Sequence, residues 1–244
     1  MRALVTGGGR GVGRALAQAL CDAGAKVVIC GRDAARLEAA AAQLGAVAAP
    51  CDLSHPEGAL ELGERAVEIL GGLDLLINNA GVQVNMSHLD GNGAEVLAAA
   101  QDEIATNLTS IVALTAAVMP HLVEAHGAVV NIGSGLALAP KASAPVYCAT
   151  KAALRTYSRA LRYQLEDAGL PVAVHHVLLP LVETDMTAGR GRGKITAEQA
   201  ATEILAGVRR GRSEIAVGKA GLLPHLLRLA PGLAYAMLRR GSPP

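Results

Sequence analysis

A chain of 244 residues carrying a net charge of +1 has room for one large α/β domain, and it offers no field that would draw nucleic acid or an anionic membrane. Hydrophobic residues make up 51%, but with no Phe, no Trp and four Tyr the core has to be aliphatic. The four cysteines, Cys21, Cys30, Cys51 and Cys148, stand singly, which excludes a disulfide or zinc framework and suits a reducing compartment.

Apolar runs alternate with helical patterns along the whole chain, which predicts βαβ units on a parallel sheet. The first strand is expected at Arg2–Thr6, with a helix from Gly11 to about Ala23. A second strand at Lys26–Cys30 leads to the Ala-rich helix Ala34–Leu44, and a short third strand follows at Ala46–Ala49. Ser54-His55-Pro56-Glu57 has the Ser-x-x-Glu spacing of a capping box and predicts a helix running to about Leu70. Strand four is expected at Leu73–Ile77, then a long helical region, about Ala94 to Met119, with Asn107 in its middle. Strand five at Ala128–Ile132 precedes a helix ending near Asp167. Strand six, Val172–Leu178, a helix Thr196–Arg209 and a last strand Glu214–Val217 complete a doubly wound parallel sheet in a single domain spanning residues 1–244.

Two segments lie outside this pattern. A loop around residues 185–200, richest in glycine and arginine at 187–194, reads equally as a surface loop or as a lid over substrate. The apolar C-terminal tail, residues 219–244, is broken by Pro224, Arg228 and Pro231, so it reads as helices packed on the domain or on a neighbouring subunit rather than as a membrane segment. The first strand begins at Arg2 and no uninterrupted apolar run of about 20 residues occurs, so a cytoplasmic protein is expected.

The chemistry concentrates in Tyr147-Cys148-Ala149-Thr150-Lys151, with Ser134 upstream. Tyr147 and Lys151 are four apart, so a helix brings them to one face. A tyrosine ionises near pH ~10, and a held ammonium nearby favours the phenolate. Thr6-Gly7-Gly8-Gly9-Arg10-Gly11-Val12-Gly13 stands at the first strand-to-helix turn, where glycines let backbone N–H groups approach a pyrophosphate at the positive end of a helix.

Together with Asn78-Asn79-Ala80-Gly81 after strand four, these motifs resemble the short-chain dehydrogenase/reductase family in order and spacing over nearly the whole chain. The resemblance implies a seven-stranded Rossmann-type fold, reversible NAD(P)-dependent carbonyl/alcohol chemistry on a small molecule, and a homodimer or homotetramer. It assigns Tyr147 as proton donor and acceptor, with Ser134 bound to the same substrate oxygen. Lys151 would hold the nicotinamide ribose, and Asn107 would sit at a helix kink that supports a water path from Lys151. Cofactor contacts are expected at Gly7, Arg10, Gly11, Val12, Gly13, Arg32, Asp52, Leu53, Asn79, Ala80, Gly81, Pro180, Val182 and Thr184, as well as at Tyr147 and Lys151.

The family's NAD users typically place an acid at the end of strand two, where this chain has Gly31 followed by Arg32. Arg32 and Arg10 suit a 2′-phosphate, so NADP is the expected cofactor and NAD the alternative. Asp33 competes as a ribose acceptor but reads better as the N-cap of the next helix. Leu181 stands where the family usually has glycine after Pro180, which questions the backbone near the nicotinamide. The expectation is an NADP(H) reductase of a small or medium apolar carbonyl compound. The competing class is a non-catalytic dinucleotide sensor, which would have no use for Tyr147, Lys151, Ser134 and Asn107 together.

Overall fold

The apolar runs form seven strands in the computed structural model, which describes residues 1–189 and 193–239. They are β1 (Arg2–Thr6), β2 (Lys26–Gly31), β3 (Val47–Pro50), β4 (Leu75–Asn78), β5 (Ala128–Ile132), β6 (Ala173–Leu178) and β7 (Glu214–Ala216). All pair in parallel in the order β3-β2-β1-β4-β5-β6-β7. The order reverses between β1 and β4, and the crevice beyond their C-terminal ends is where such sheets bind ligands.

Side-chain alternation along β1 shows how the layers form. Ala3 and Val5 face α1 (Gly11–Asp22) and α2 (Ala34–Leu44), in a layer completed by a helix at Ala197–Arg209. Leu4 faces the opposite layer, built on α3 (Pro56–Leu70) and a helix at Ser110–Glu124, with a third at Pro145–Asp167 at its edge. Both layers are aliphatic, as the composition requires. Asp33 accepts from the Arg36 amide at 3.0 Å, and Gly45 ends α2 at a φ of 69°, so α2 spans the expected residues.

One local expectation fails. Ser54 does not cap α3: Pro56 takes a first-turn position, and the Ser54 hydroxyl donates instead to Asp52 at 2.9 Å. The long central helix is not uniform. It consists of α4 (Gly93–Ile104), a wider π-turn over Ala105–Thr109 and α5 (Ser110–Glu124), and Asn107 sits in the π-turn. The continuous helical stretch Gly93–Glu124 is long and apolar enough to cross a membrane by length and composition alone. Its residues Ile111, Leu114, Val118 and Leu122 are buried, and α5 packs against α3.

The remaining helices are α6 (Pro145–Asp167), α7 (Ala197–Arg209), α8 (Leu223–Leu229) and α9 (Pro231–Arg239). Boundaries of β2, β3, β4, β6, β7 and α7 shift by one or two residues from the sequence pattern. Residues 190–192 of the expected loop and 240–244 of the tail lie outside the described residues.

Candidate active site

The crevice is a cleft of about 540 Å³ that runs from the end of β2, over the glycine turn, to the N-terminal half of α6. Of the residues singled out from the sequence, sixteen line it: Gly7, Arg10, Gly11, Val12, Arg32, Asp52, Leu53, Asn79, Ala80, Gly81, Ser134, Tyr147, Lys151, Pro180, Val182 and Thr184. Gly13 and Asn107 do not. Gly13 is a packing position instead. A Cβ there would stand 2.3 Å from the Gly7 carbonyl oxygen and 2.4 Å from Asn79 Nδ2, so only glycine lets α1 sit this close to β1 and β4. Gly11 has a φ of 53° and Thr184 Cγ2 lies 3.0 Å from where its Cβ would be, which makes it a true special-geometry glycine.

Thr6 and Asn79 stitch the turn together. Thr6 Oγ1 accepts from the amides of Asn79 and Ala80 at 2.9 and 3.0 Å, and Asn79 Nδ2 donates to the Thr6 carbonyl at 2.9 Å. Behind them, fully buried Asn78 donates to Asn131 Oδ1 at 2.9 Å, and Asn131 donates to Ser158 at 2.9 Å. This chain of amides locks β4, β5 and α6 in register under the cleft. Sequence reasoning missed Asn131, whose only signal was a polar residue inside an apolar run, and Ser158, which carried no signal at all.

Lys151 is buried, and its Nζ donates to the Ile132 carbonyl at 2.9 Å. It lies 5.7 Å from the centroid of the Tyr147 ring, so the two functional groups share one end of the cleft as the four-residue spacing required. Burial lowers the Lys151 pKa to about 8. At pH 7 it is therefore still roughly nine-tenths protonated. Ser134, at the end of β5, lines the same cleft and accepts from the Leu136 amide at 3.1 Å.

Asn107 acts one layer further back. Its Oδ1 accepts from the Val82 amide and its Nδ2 donates to the Val82 carbonyl, both at 2.9 Å, with a further bond to Thr150 Oγ1 at 3.3 Å. Thr150 in turn donates to the Tyr147 carbonyl at 2.8 Å. Gly81 closes over this group, since a Cβ on it would lie 3.1 Å from Asn107 Oδ1 and 3.6 Å from Lys151 Nζ.

At the other end of the cleft, charges of both signs meet. Arg10, Arg32 and Arg36 line it with Asp33, Asp52 and Asp185. Burial acts to raise the Asp52 pKa, but the Ser54 amide and hydroxyl and the Arg32 cation outweigh it and hold the carboxyl below its ordinary value. Asp185 lies 3.6 Å from both Arg10 and Arg36 across the cleft mouth. Arg36 was not legible as a cleft residue, because its placement depends on how α2 crosses the sheet. Leu181 proves harmless: among the described residues the only non-glycine with positive φ is His126. The Leu181 carbonyl accepts from the Ile195 amide at 3.3 Å, and Val182 bridges Ile195 in a strand-like pair.

Comparison with known proteins identifies the family. The family model for short chain dehydrogenase matches residues 1–194. An uncharacterized oxidoreductase, DltE, of Bacillus subtilis (strain 168) is 38% identical over 221 residues, covering 87% of this chain and 86% of that protein. The L-fucose dehydrogenase of Bos taurus is 33% identical over 170 residues, 69% of this chain and 62% of its own. Among solved structures, a short chain dehydrogenase from Burkholderia cenocepacia J2315 in complex with NADP superposes with a TM-score of 0.84 at 29% identity, over 97% of this chain and 96% of that one. A Burkholderia phymatum protein in complex with NAD superposes equally well at 22% identity, which speaks for the fold alone. The chain is an oxidoreductase of the short-chain dehydrogenase family.

Proposed function

We propose that this oxidoreductase moves hydride reversibly between NADP(H) and a small or medium apolar carbonyl or alcohol, with Tyr147 as general acid and base. The observation that carries the reading is the buried Lys151 ammonium 5.7 Å from the Tyr147 ring, inside the cleft that starts at the glycine turn. A protonated amine held in a dry site favours the phenolate, which tunes Tyr147 toward proton exchange near neutral pH.

The cleft fits a dinucleotide. Gly7, Gly9 and Gly11 leave its floor free of side chains at the N-terminus of α1, where a diphosphate is favoured. When bound, NADPH supplies the hydride. Lys151 would hold the ribose hydroxyls and Thr184 the carboxamide. Arg32 and Arg10, with Arg36, would meet the 2′-phosphate, and Gly31 puts no carboxylate in its way. The Burkholderia cenocepacia relative bound to NADP supports this preference.

On the substrate side, Ser134 would hydrogen-bond the carbonyl oxygen while Tyr147 delivers its proton there. In the reverse direction Tyr147 takes the proton back. Val82, Leu179, Pro180, Val182 and Met186 make that end apolar, which supports an aliphatic substrate over a polyol. Asp185, Met186 and Thr187 bring the loop of residues 185–200 into the wall. The test is NADPH consumption with a panel of ketones and aldehydes by wild type and Tyr147→Phe. The variant should lose roughly a hundredfold or more in turnover while still binding NADPH. Unchanged turnover in the variant would overturn the mechanism, and binding without turnover by either protein would overturn the enzyme reading.

A further inference from the structure

The last two helices carry an apolar surface that the domain leaves uncovered. Before Arg239, α9 holds no polar side-chain group except the Tyr235 hydroxyl, and a helix that is apolar all round is normally buried. Here only Ala234 is buried. Leu229, at the end of α8, is 83% exposed, and Leu222, Met237 and Leu233 are 66%, 60% and 55% exposed. Leu233 and Met237 stand four apart, so they share one face of α9. The packing on the domain expected of this tail is thus partial.

The charges on this surface are of one sign. Residues 215–244 contain Lys219, Arg228, Arg239 and Arg240 and no Asp or Glu, a formal +4. The rest of the chain sets 18 of the 22 basic residues against all 21 acids and carries −3, an asymmetry that the overall +1 hides. Lys219, Arg228 and Arg239 are exposed, the last two beside Leu229 and close to Met237 in the chain. Arg239 and Lys141 also edge an apolar hollow of about 540 Å³ walled by Leu136, Pro140, Pro145 and Cys148.

Three contacts hold the segment beside the substrate end of the cleft. A Cβ on Gly218, before α8, would stand 3.8 Å from Ile195 Cγ2 and 4.0 Å from Pro180 Cγ. Leu223 Cδ2 lies 3.4 Å from where a Cβ of Gly135 would be, one residue after Ser134. At the far end, the Ala142 amide donates to the Arg239 carbonyl at 2.9 Å.

We propose that the α8–α9 segment is a docking surface for an anionic lipid bilayer. A second copy joined across a two-fold axis would bring this patch against itself, cation to cation, with no carboxylate in the segment to pair them. Anionic headgroups meet both features at once: they neutralise the arginines while Leu, Met and Tyr side chains enter the boundary between headgroups and acyl chains. The helices have seven and nine residues, about 10 and 14 Å of length against a hydrocarbon core of about 30 Å, so they lie on the membrane and do not span it. Docking of this kind needs nothing from the hydride chemistry.

The experiment is co-sedimentation of the whole chain with vesicles of phosphatidylcholine alone or mixed with phosphatidylglycerol, in about 0.1 M salt. Binding to the anionic vesicles should be tighter by at least about tenfold. Arg228→Gln combined with Arg239→Gln should weaken it by about tenfold or more. A triple variant, Leu229→Ser, Leu233→Ser and Met237→Ser, keeps every charge and should weaken it about as far. All five side chains are exposed, so circular dichroism should find both variants folded; if one is not, the wild-type comparison between the two vesicle types still decides. Wild type that stays in solution with both vesicle types overturns the proposal. So does binding that the folded serine variant keeps in full, which would mark charge attraction without insertion. Wild type that ignores vesicles and, by light scattering, is a larger species than the serine variant would show a second copy on this face, and the membrane proposal would fall.

Discussion

Replacing Lys151 by methionine should make the protein more stable and inactive. The side chain is buried, and burial alone lowers its pKa from 10.5 to about 8. A gap of 2.5 units corresponds to about 3 kcal/mol by which the folded state disfavours the charged amine. The sign follows from the direction of the shift. Below pH 8 the amine is charged in both states and the burden is full; as pH rises from 8 toward 10.5 the folded form sheds its proton first and the burden fades. Methionine keeps most of the volume and removes the charge, but it leaves the Ile132 carbonyl without its 2.9 Å partner. That orphaned acceptor takes back about 1–2 kcal/mol. The net gain at pH 7 is therefore about 1–2 kcal/mol, or roughly 5 °C in Tm for a chain of this size. At pH 9.5 the burden has dropped to about 1.4 kcal/mol, and the two proteins should melt together. Thermal melts of both cofactor-free proteins at the two pH values measure this. A variant less stable than wild type at pH 7, or a difference that does not shrink with pH, would refute the reasoning.

The charged end of the cleft yields a matched pair of predictions. Arg32→Ala should weaken NADPH by roughly tenfold or more and leave NADH nearly unchanged, as read by fluorescence titration; equal losses would mean that Arg32 does not meet the 2′-phosphate. Asp185→Asn should act the other way. Asp185 lies 3.6 Å from both Arg10 and Arg36, so its removal frees two cations for phosphate, and NADPH should tighten by about threefold with NADH less affected. The effect should vanish in about 0.5 M salt, because these side chains are exposed and screened.

Local physics made much of this molecule readable from its residues. Asp33 and Gly45 carry their own start and stop signals, and α2 obeys them. Tyr147 and Lys151 needed only a helix to bring them together. Ser54 shows the limit of a local pattern: the capping-box spacing is present, but Pro56 and Asp52 compete for the same turn and prevail. Gly13 shows another, since a glycine in a phosphate-binding turn can face the sheet rather than the ligand. Arg36 was invisible for a different reason. It draws its importance from a partner on another element, Asp185, and nothing at its position in the sequence announces that crossing.

The pairing of Val182 with Ile195 bears on how this protein can diversify. The segment between them is closed at its base, where Glu183 donates to the Ile195 carbonyl at 2.9 Å. Residues enclosed by such a clasp can be exchanged or lengthened without carrying strain back to Pro180, because added closure entropy grows only slowly with loop length. Selection for a new substrate could therefore rewrite the enclosed residues beyond Asp185 while Thr184 and the rest of the framework that faces the nucleotide stay as they are.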